Sequence, residues 1–312
     1  MISLLLRFKF HSLKKLFLVL FIFPVFTDAQ DFVDLLSIGY GHSFKNDFEN
    51  TPGSTNVEAL DVDLTIPFVI NDKYTFVTGP IFNRNRFQLF PGSNPITVYS
   101  TLLKLGLIIN HSEKWTSSLV ALPKLASDYK NISSNDLQYG GIAIFSYKKS
   151  ENLVYKFGAY GSTEAFGFVT TPFFGWYYLG PNKRFSMDVL LPISADVNYA
   201  FNKFSIGFDY IGVGRSYNVN ENDANLYADQ GSLKATAYIQ TKVLNKNILL
   251  RAKFGHASNN YEAYQQGQRI GLRLPGFDIN DNRNQLNPDI QSSFLFEFEA
   301  IYRLKIPPKK KK

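Results

Sequence analysis

The 312-residue sequence contains no cysteine, which excludes a disulfide scaffold, a thiolate nucleophile and a cysteine-type zinc site. Charged residues are scarce at 19%, against roughly 25% in ordinary soluble domains. After the first 29 residues there is no apolar run of about 18 or more, so no membrane-spanning helix is predicted there. Aromatic residues are abundant instead, with 29 Phe and 18 Tyr.

The positive charge lies at the two ends of the sequence. The formal net charge is +7, but residues 30–308 contain 25 basic and 25 acidic side chains. A nucleic-acid-binding domain carries its basic charge on the folded part of the chain. The sequence therefore predicts no nucleic-acid partner.

The N-terminal segment has the order of charges and apolar residues that is typical of a secretory signal peptide. Residues 1–15 are basic, residues 16–26 form an apolar run, and Thr27 and Ala29 supply small residues at a cleavage site. The run is shorter than the roughly 20 residues of a membrane-spanning helix. We predict cleavage after Ala29 and export of the chain that begins at Gln30; the alternative is an uncleaved signal anchor.

The exported part of the sequence alternates between apolar and polar residues with a period of two, which indicates β-strands. The last segment shows this most clearly, because Phe294, Phe296 and Phe298 share one face while Glu297 and Glu299 share the other. Short polar turns separate many of these segments, and their Asn, Asp, Ser, Gly and Pro content suits tight hairpins. They lie near 71–73, 111–114, 149–152, 181–183, 202–203 and 245–247.

The lengths of the strands favour a membrane barrel over a soluble sandwich. A membrane-crossing strand needs about 9–11 residues, and the predicted strands are this long or longer. Aromatic residues also cluster beside the short turns, as in an interfacial girdle: Tyr74, Trp115, Trp176, Tyr177, Tyr178, Phe185, Phe201 and Phe204. We predict that residues 30–306 form an all-β, closed antiparallel transmembrane barrel of about 14 strands (roughly 12 to 16), followed by a basic periplasmic tail, 307–312.

An even number of strands places both termini on the periplasmic side of an outer membrane, with the longer connections outside the cell. These connections are predicted near 45–56, 89–96, 127–136, 218–231 and 258–290. The strand pattern also predicts which charged side chains face the lumen. They are Asp61, Asp63, Lys104, Lys156, Asp209, Arg251, Lys253, Glu297, Glu299 and Arg303. Because both signs are present, the interior is either salt-bridged or an open selective pore.

The sequence resembles the uncharacterised outer-membrane β-barrel families of Gram-negative bacteria, which are known only as domains of unknown function. The resemblance rests on the signal ending at Asp28-Ala29-Gln30, the Asn/Lys hairpins and the strand-end prolines Pro67, Pro123, Pro192 and Pro275. It implies outer-membrane lipids and lipopolysaccharide as surroundings, and the barrel assembly machinery as a partner. That machinery usually recognises an aromatic residue at the end of the chain. In this sequence the internal Tyr302 would have to take that role.

One short segment also resembles the outer-membrane lipid A deacylases. His256 and Ser258 lie two apart in Gly255-His256-Ala257-Ser258-Asn259, and Glu262 follows. Residues two apart on a strand share a face, so an imidazole would activate a hydroxyl for acyl attack there. The resemblance implies a catalytic role for His256, Ser258 and Glu262, whereas the alternative interpretation is a polar strand end entering a loop.

No cofactor or metal site is predicted. The segment from Asp278 to Asp289 begins like a calcium loop, but Arg283 stands where the sharp turn needs glycine. Three functions therefore stay open. The first is a non-enzymatic barrel, either a channel or a structural barrel with long extracellular loops. The second is a lipid A-modifying esterase, and the third is a surface-binding barrel.

Overall fold

The computed structural model describes residues 32–220, 225–244 and 247–305. The predicted signal peptide and basic tail lie outside these residues. No helix among the described residues is long and apolar enough to cross a membrane. The strands are β1 (Phe32–Asp47), β2 (Ser54–Leu64), β3 (Ile66–Val69), β4 (Tyr74–Phe87), β5 (Ile96–Asn110), β6 (Trp115–Ser127), β7 (Leu137–Ser150), β8 (Leu153–Glu164), β9 (Gly167–Leu179), β10 (Phe185–Leu191), β11 (Ser194–Ala200), β12 (Phe204–Val219), β13 (Leu226–Val243), β14 (Ile248–Gln265), β15 (Leu272–Leu274), β16 (Phe277–Ile279) and β17 (Ser293–Lys305).

Neighbouring strands pair antiparallel around a closed ring, because β1 pairs with β2 on one edge and with β17 on the other. β2 and β3 form one barrel strand that is interrupted at Thr65. β15 and β16 form a small hairpin in the connection between β14 and β17. The remaining order gives 14 barrel strands, so the predicted closed antiparallel barrel is confirmed.

The interruption at Thr65 has a counterpart on the next strand. Gly79 of β4 has a φ of +139°, and a Cβ atom there would lie 1.9 Å from the backbone oxygen of Leu64. Only glycine permits this backbone conformation and this close approach. Gly79 therefore lets the two strands stay paired across the break between β2 and β3.

The barrel has a turn end and a loop end. Five of the six predicted short turns lie together at the turn end, and Phe32 pairs with Lys305 there, so both ends of the described chain lie at this end. The sixth, 245–247, lies partly outside the described residues. Aromatic rings pack beside the turns, for example those of Phe201 and Phe204, whose centroids are 4.8 Å apart. Tyr177 differs from the other predicted girdle residues because it is buried.

The loop end departs from the predicted boundaries. The connections predicted near 218–231 and 258–290 are in part strand, because β12 runs to Val219, β13 starts at Leu226 and β14 continues to Gln265. At the same end, β10 and β11 are joined by only two residues, Pro192 and Ile193. The β12, β13 and β14 strands are therefore much longer than the neighbouring β10 and β11.

We call the loop-end parts of these three long strands the arm. The arm consists of residues 212–219, 226–232 and 257–265. Most of their side chains are buried on both faces, unlike those of the rest of the barrel wall. Asn218 of the arm forms a parallel bridge with Ser127 of β6, on the far side of the ring. The arm therefore crosses the mouth of the barrel and closes its loop end.

Apolar cores cover the two sides of the arm. Tyr217, Val219 and Tyr261 pack against the loop ends of β1, β2, β4 and β5, and the rings of Phe87 and Tyr261 are stacked 3.8 Å apart. Tyr227 and Tyr264 pack instead into a second apolar core, which is formed by the inward-facing side chains of strands β4 to β10. That core fills one half of the lumen.

The long connection between β14 and β17 fills a gap in the barrel wall. β10 ends at Leu191, opposite Phe174, while β9 continues towards Gly167. Since β8 occupies the other edge of β9, the edge that β10 vacates is open to a new partner. β15 takes that place, and Arg273 bridges Val169 there in parallel register.

Candidate functional site

A cavity of about 460 Å³ occupies the half of the lumen that the apolar core leaves open. It begins at the turn end, where the exposed Lys183 and Arg184 border it, and reaches the arm at Arg215 and Gln230. We call it the chamber. Eight carboxylate side chains and eight Lys or Arg side chains line it, so the lining has no net formal charge.

The structure places the ten charged residues that were predicted to face the lumen around this chamber. Lys104 and Lys156 are buried just behind its lining and form ion pairs with Asp63 and Asp188. The others line the chamber directly: Asp61, Asp63, Asp209, Arg251, Lys253, Glu297, Glu299 and Arg303.

The densest network lies on one wall, where β14 pairs with β17. Register sets Arg251 opposite Glu299 and Lys253 opposite Glu297, so the charges of the two strands face one another. The Lys253 ammonium lies 3.1 Å from a carboxylate oxygen of each glutamate and 2.8 Å from Asp209. Such a network holds the side chains in fixed positions and neutralises them locally.

Tyr238 joins this network to β11. Its hydroxyl donates to Asp196 at 2.9 Å and accepts from the Asn198 amide at 2.9 Å. The ring crosses Gly207, where a Cβ atom would lie 2.3 Å from the tyrosine ring. Glycine at this position is therefore what allows the tyrosine to reach across the strand to the two polar partners.

The inner end of the chamber is polar and was not predicted. The Asn83 amide donates to Asp61, and the Asn85 amide donates to the Tyr217 hydroxyl at 3.1 Å. Tyr217 in turn donates to Gln230 at 3.1 Å. Asn83 and Asn85 lie two and four residues after the inward-facing Ile81, so strand alternation alone predicts that they face inward. They were not predicted as site residues because only charged side chains were considered.

Arg215 is a second residue that the sequence interpretation missed. It lies in the buried arm and lines the chamber. It shares the inward parity of Asp209, six residues earlier on β12.

A buried ionic cluster ties the last long connection to the arm, and we call it the latch. Arg273 of β15 donates two hydrogen bonds to Asp229 of the arm, at 2.9 and 2.8 Å, and two to Asp278, at 2.8 and 2.9 Å. Arg283 donates to the same Asp229 at 2.9 Å. The guanidinium of Arg273 also lies 4.0 Å from the ring centroid of Phe166. Asp278 of the calcium-like segment thus binds an arginine.

The latch lies at the loop end of the barrel, and its electrostatics favour ionised carboxylates. Burial alone would raise the pKa of Asp229, but Arg273 and Arg283 outweigh it and hold that pKa below its usual value. The pKa of Asp281 is likewise lowered, because hydrogen bonds from Arg283 outweigh its partial burial. Both groups therefore stay charged at neutral pH.

The three residues of the deacylase-like segment do not come together. His256 lies on the outer face, with its ring edge-on to Phe294 at 5.9 Å. The Ser258 hydroxyl accepts a hydrogen bond from the Leu233 backbone amide at 2.9 Å. Glu262 is buried and accepts from Asn260 and Tyr264. Six strand residues, about 20 Å, separate His256 from Glu262. Ser258 also lies inside β14, so its predicted place at a strand end is wrong.

Fold and site together define a 14-stranded antiparallel barrel that is closed at its loop end and holds a charged chamber towards its turn end. The chain belongs to the family described as a domain of unknown function (DUF6268), which matches residues 92–267. That range begins in the connection before β5 and ends just beyond the arm. No curated protein matches the sequence.

Several solved outer-membrane proteins have similar structures. The COG4313 outer membrane channel from Pseudomonas putida F1 is 11% identical, over 86% of this chain and 94% of that chain, with a TM-score of 0.39. The P. putida toluene transporter TodX is 11% identical, over 87% and 89%, with a TM-score of 0.37. LpxR from Salmonella typhimurium is 5% identical, over 85% and 99%, with a TM-score of 0.31.

Proposed function

We propose that this protein is a non-enzymatic outer-membrane β-barrel of the transport type, and that the structure represents its closed state, with the loop end blocked. The observation that supports the proposal is the contrast between the outer face and the inner face of the barrel wall. Large apolar side chains are exposed on the outer face of strand after strand, while charged side chains line the chamber. Soluble monomers rarely expose apolar surface this extensively, whereas a lipid-facing barrel requires it.

The orientation follows from the even strand count. In outer-membrane barrels the short turns and both termini are periplasmic, and the longer connections face outward. The chamber would then open to the periplasm, and the arm would close the outer side. The proposed signal peptide 1–29 and the barrel assembly machinery, reading Tyr302, would bring the chain there, among outer-membrane lipids and lipopolysaccharide.

A transport role suits the chamber better than a purely structural role. A structural barrel has no need of a charged cavity, whereas this lumen is filled on one side and left open along a polar path on the other. Passage of a solute would require the arm, or the connection held by the latch, to move. The long outer connections keep a surface-binding role as the second candidate.

The esterase interpretation is not favoured. A serine nucleophile needs a base within hydrogen-bond reach, with a third group that orients the base. Ser258 is bonded to a backbone amide, and Glu262 is held by Asn260 and Tyr264.

Fractionation of expressing cells tests the proposed location. The protein should sediment with the outer membrane, resist extraction by urea or carbonate, and migrate faster in detergent gels when it is not heated. Recovery from the soluble periplasmic fraction would overturn the proposal.

A further inference from the structure

We propose that the inner end of the chamber binds a small amphoteric solute, with its ammonium group beside Asn83 and Asp61 and its carboxylate towards Arg215. This inference rests on the proposed function, because the solute would enter through the turn end of the barrel. It assigns a substrate class to the chamber.

Asn83 supplies the first observation. It lines the chamber, yet its side chain is only 1% exposed. Its Nδ2 donates to the Asp61 carboxylate, and an ionised carboxylate only accepts hydrogen bonds, so the orientation of the amide is fixed. Its Oδ1 then accepts no hydrogen bond from any residue that the structure describes. A buried carbonyl oxygen in this position calls for an N–H donor.

The carboxylate of Asp61 favours a positively charged donor. Its carboxylate lies directly beside the Asn83 amide, and both residues line the chamber. A cationic N–H group would satisfy the amide oxygen and be attracted by the carboxylate at the same time. Charge-assisted hydrogen bonds of this kind are roughly twice as strong as neutral ones.

Arg215 supplies the opposite pole. It is buried in the arm, lines the chamber and hydrogen-bonds with Tyr217. A guanidinium presents a planar fork of N–H groups that matches a carboxylate. A carboxylate and a guanidinium therefore both border the inner end of the chamber, as the two ends of one amphoteric molecule require.

The rest of the chamber agrees with a solute of zero net charge. Eight acidic and eight basic side chains line it, so neither a cation nor an anion is attracted overall. Its volume, about 460 Å³, lies within the usual range of small-molecule pockets. An amino-acid-sized molecule fits this size and this charge balance.

Calorimetric titration of the full-length mature barrel in detergent tests the inference. The amphoteric probes are glycine, β-alanine and 4-aminobutyrate, which differ in the spacing of their charges. Methylammonium and acetate are the single-charge probes. At least one amphoteric probe should bind tenfold or more tightly than either single-charge probe. Equal affinity for acetate or methylammonium, or no binding of any probe, would overturn the inference.

Two variants and a matched control locate the site. Asn83→Leu removes the amide oxygen and Arg215→Met removes the guanidinium, and each should weaken binding of the best amphoteric probe at least tenfold. Asn198→Leu is the control, because Asn198 also lines the chamber but already donates to Ser205 and Tyr238. It should change the affinity less than twofold. An equal loss in the control would contradict the assigned position.

Folding of each variant is checked by its gel mobility without heating. If Asn83→Leu does not fold, Asn83→Ser, which removes the amide oxygen with a smaller polar side chain, serves as the second variant and should also weaken binding at least tenfold; undiminished binding in a folded Asn83→Ser contradicts the site. The outcomes are separable from those of the proposed function. A barrel that fractionates with the outer membrane but binds no probe overturns only the solute class.

Discussion

Asn218 of β12 bridges Ser127 of β6, although five strands separate them on one side of the ring and seven on the other. The bridge therefore spans the mouth of the barrel. Neighbouring contacts reinforce it, since the Asp128 amide donates to the Asn218 carbonyl at 3.0 Å and the Asn218 amide donates to Asp136 at 2.8 Å. The loop end is thus closed by the ends of wall strands.

The first prediction concerns the latch. Asp229→Asn removes one of the two carboxylates that pair with both Arg273 and Arg283 and leaves Asp278 as the other. Removing one partner of a buried ion pair costs about 3–5 kcal/mol. The connection 266–290 should become sensitive to protease on the folded barrel. Glu58→Gln is the control, because Glu58 pairs with Arg86 at 3.5 Å on an exposed surface, where such pairs contribute about 0–1 kcal/mol. Equal protease resistance of Asp229→Asn and the unmodified protein would contradict the role of the latch.

The second prediction concerns pH. The folded-state pKa values of Asp229 and Asp281 are lowered, so their stabilising effect is fully present above the unfolded value of about 3.9. It is lost only as the pH falls through the still lower folded-state values. Protease resistance of 266–290 should therefore hold from pH 8 down to about pH 4 and fail below it. Opening between pH 5 and 6 would show that other groups control the connection.

The third prediction concerns topology. Asn50 lies in the exposed connection between β1 and β2 at the loop end, and Asn202 lies in an exposed turn at the opposite end. An epitope tag inserted at Asn50 should be detected by antibody on intact cells. The same tag at Asn202 should be detected only after permeabilisation. Detection of Asn202 alone on intact cells would invert the proposed orientation.

Much of the barrel wall follows from the sequence. β14 and β17 have an apolar outer face and a charged inner face, so alternation reveals both the strand and the direction of residues such as Arg251 and Glu299. The arm lacks this pattern because both of its faces are buried against protein, where Ser216, Asn218 and Asn259 find hydrogen-bond partners. Its composition therefore resembles a polar loop. The latch depends on contacts between residues 44 to 54 positions apart, which no local pattern reveals.

The fourth prediction concerns the esterase alternative. Ser258→Ala removes one acceptor from the Leu233 backbone amide, a change that should cost about 0.5–1.5 kcal/mol of stability. Mass spectra of lipid A from cells that express the unmodified protein or the variant should be the same. A mass loss corresponding to a removed acyl chain, present with the unmodified protein and absent with Ser258→Ala, would establish an esterase and contradict a non-enzymatic barrel.

Conductance across a planar lipid bilayer tests the central claim most directly. The unmodified barrel should insert and show no steady channel, because the arm crosses its mouth and the latch holds the connection beside it. Asp229→Asn should show discrete openings under the same conditions, while Glu58→Gln should stay closed. A steady open channel from the unmodified protein would contradict the closed barrel on which the account depends.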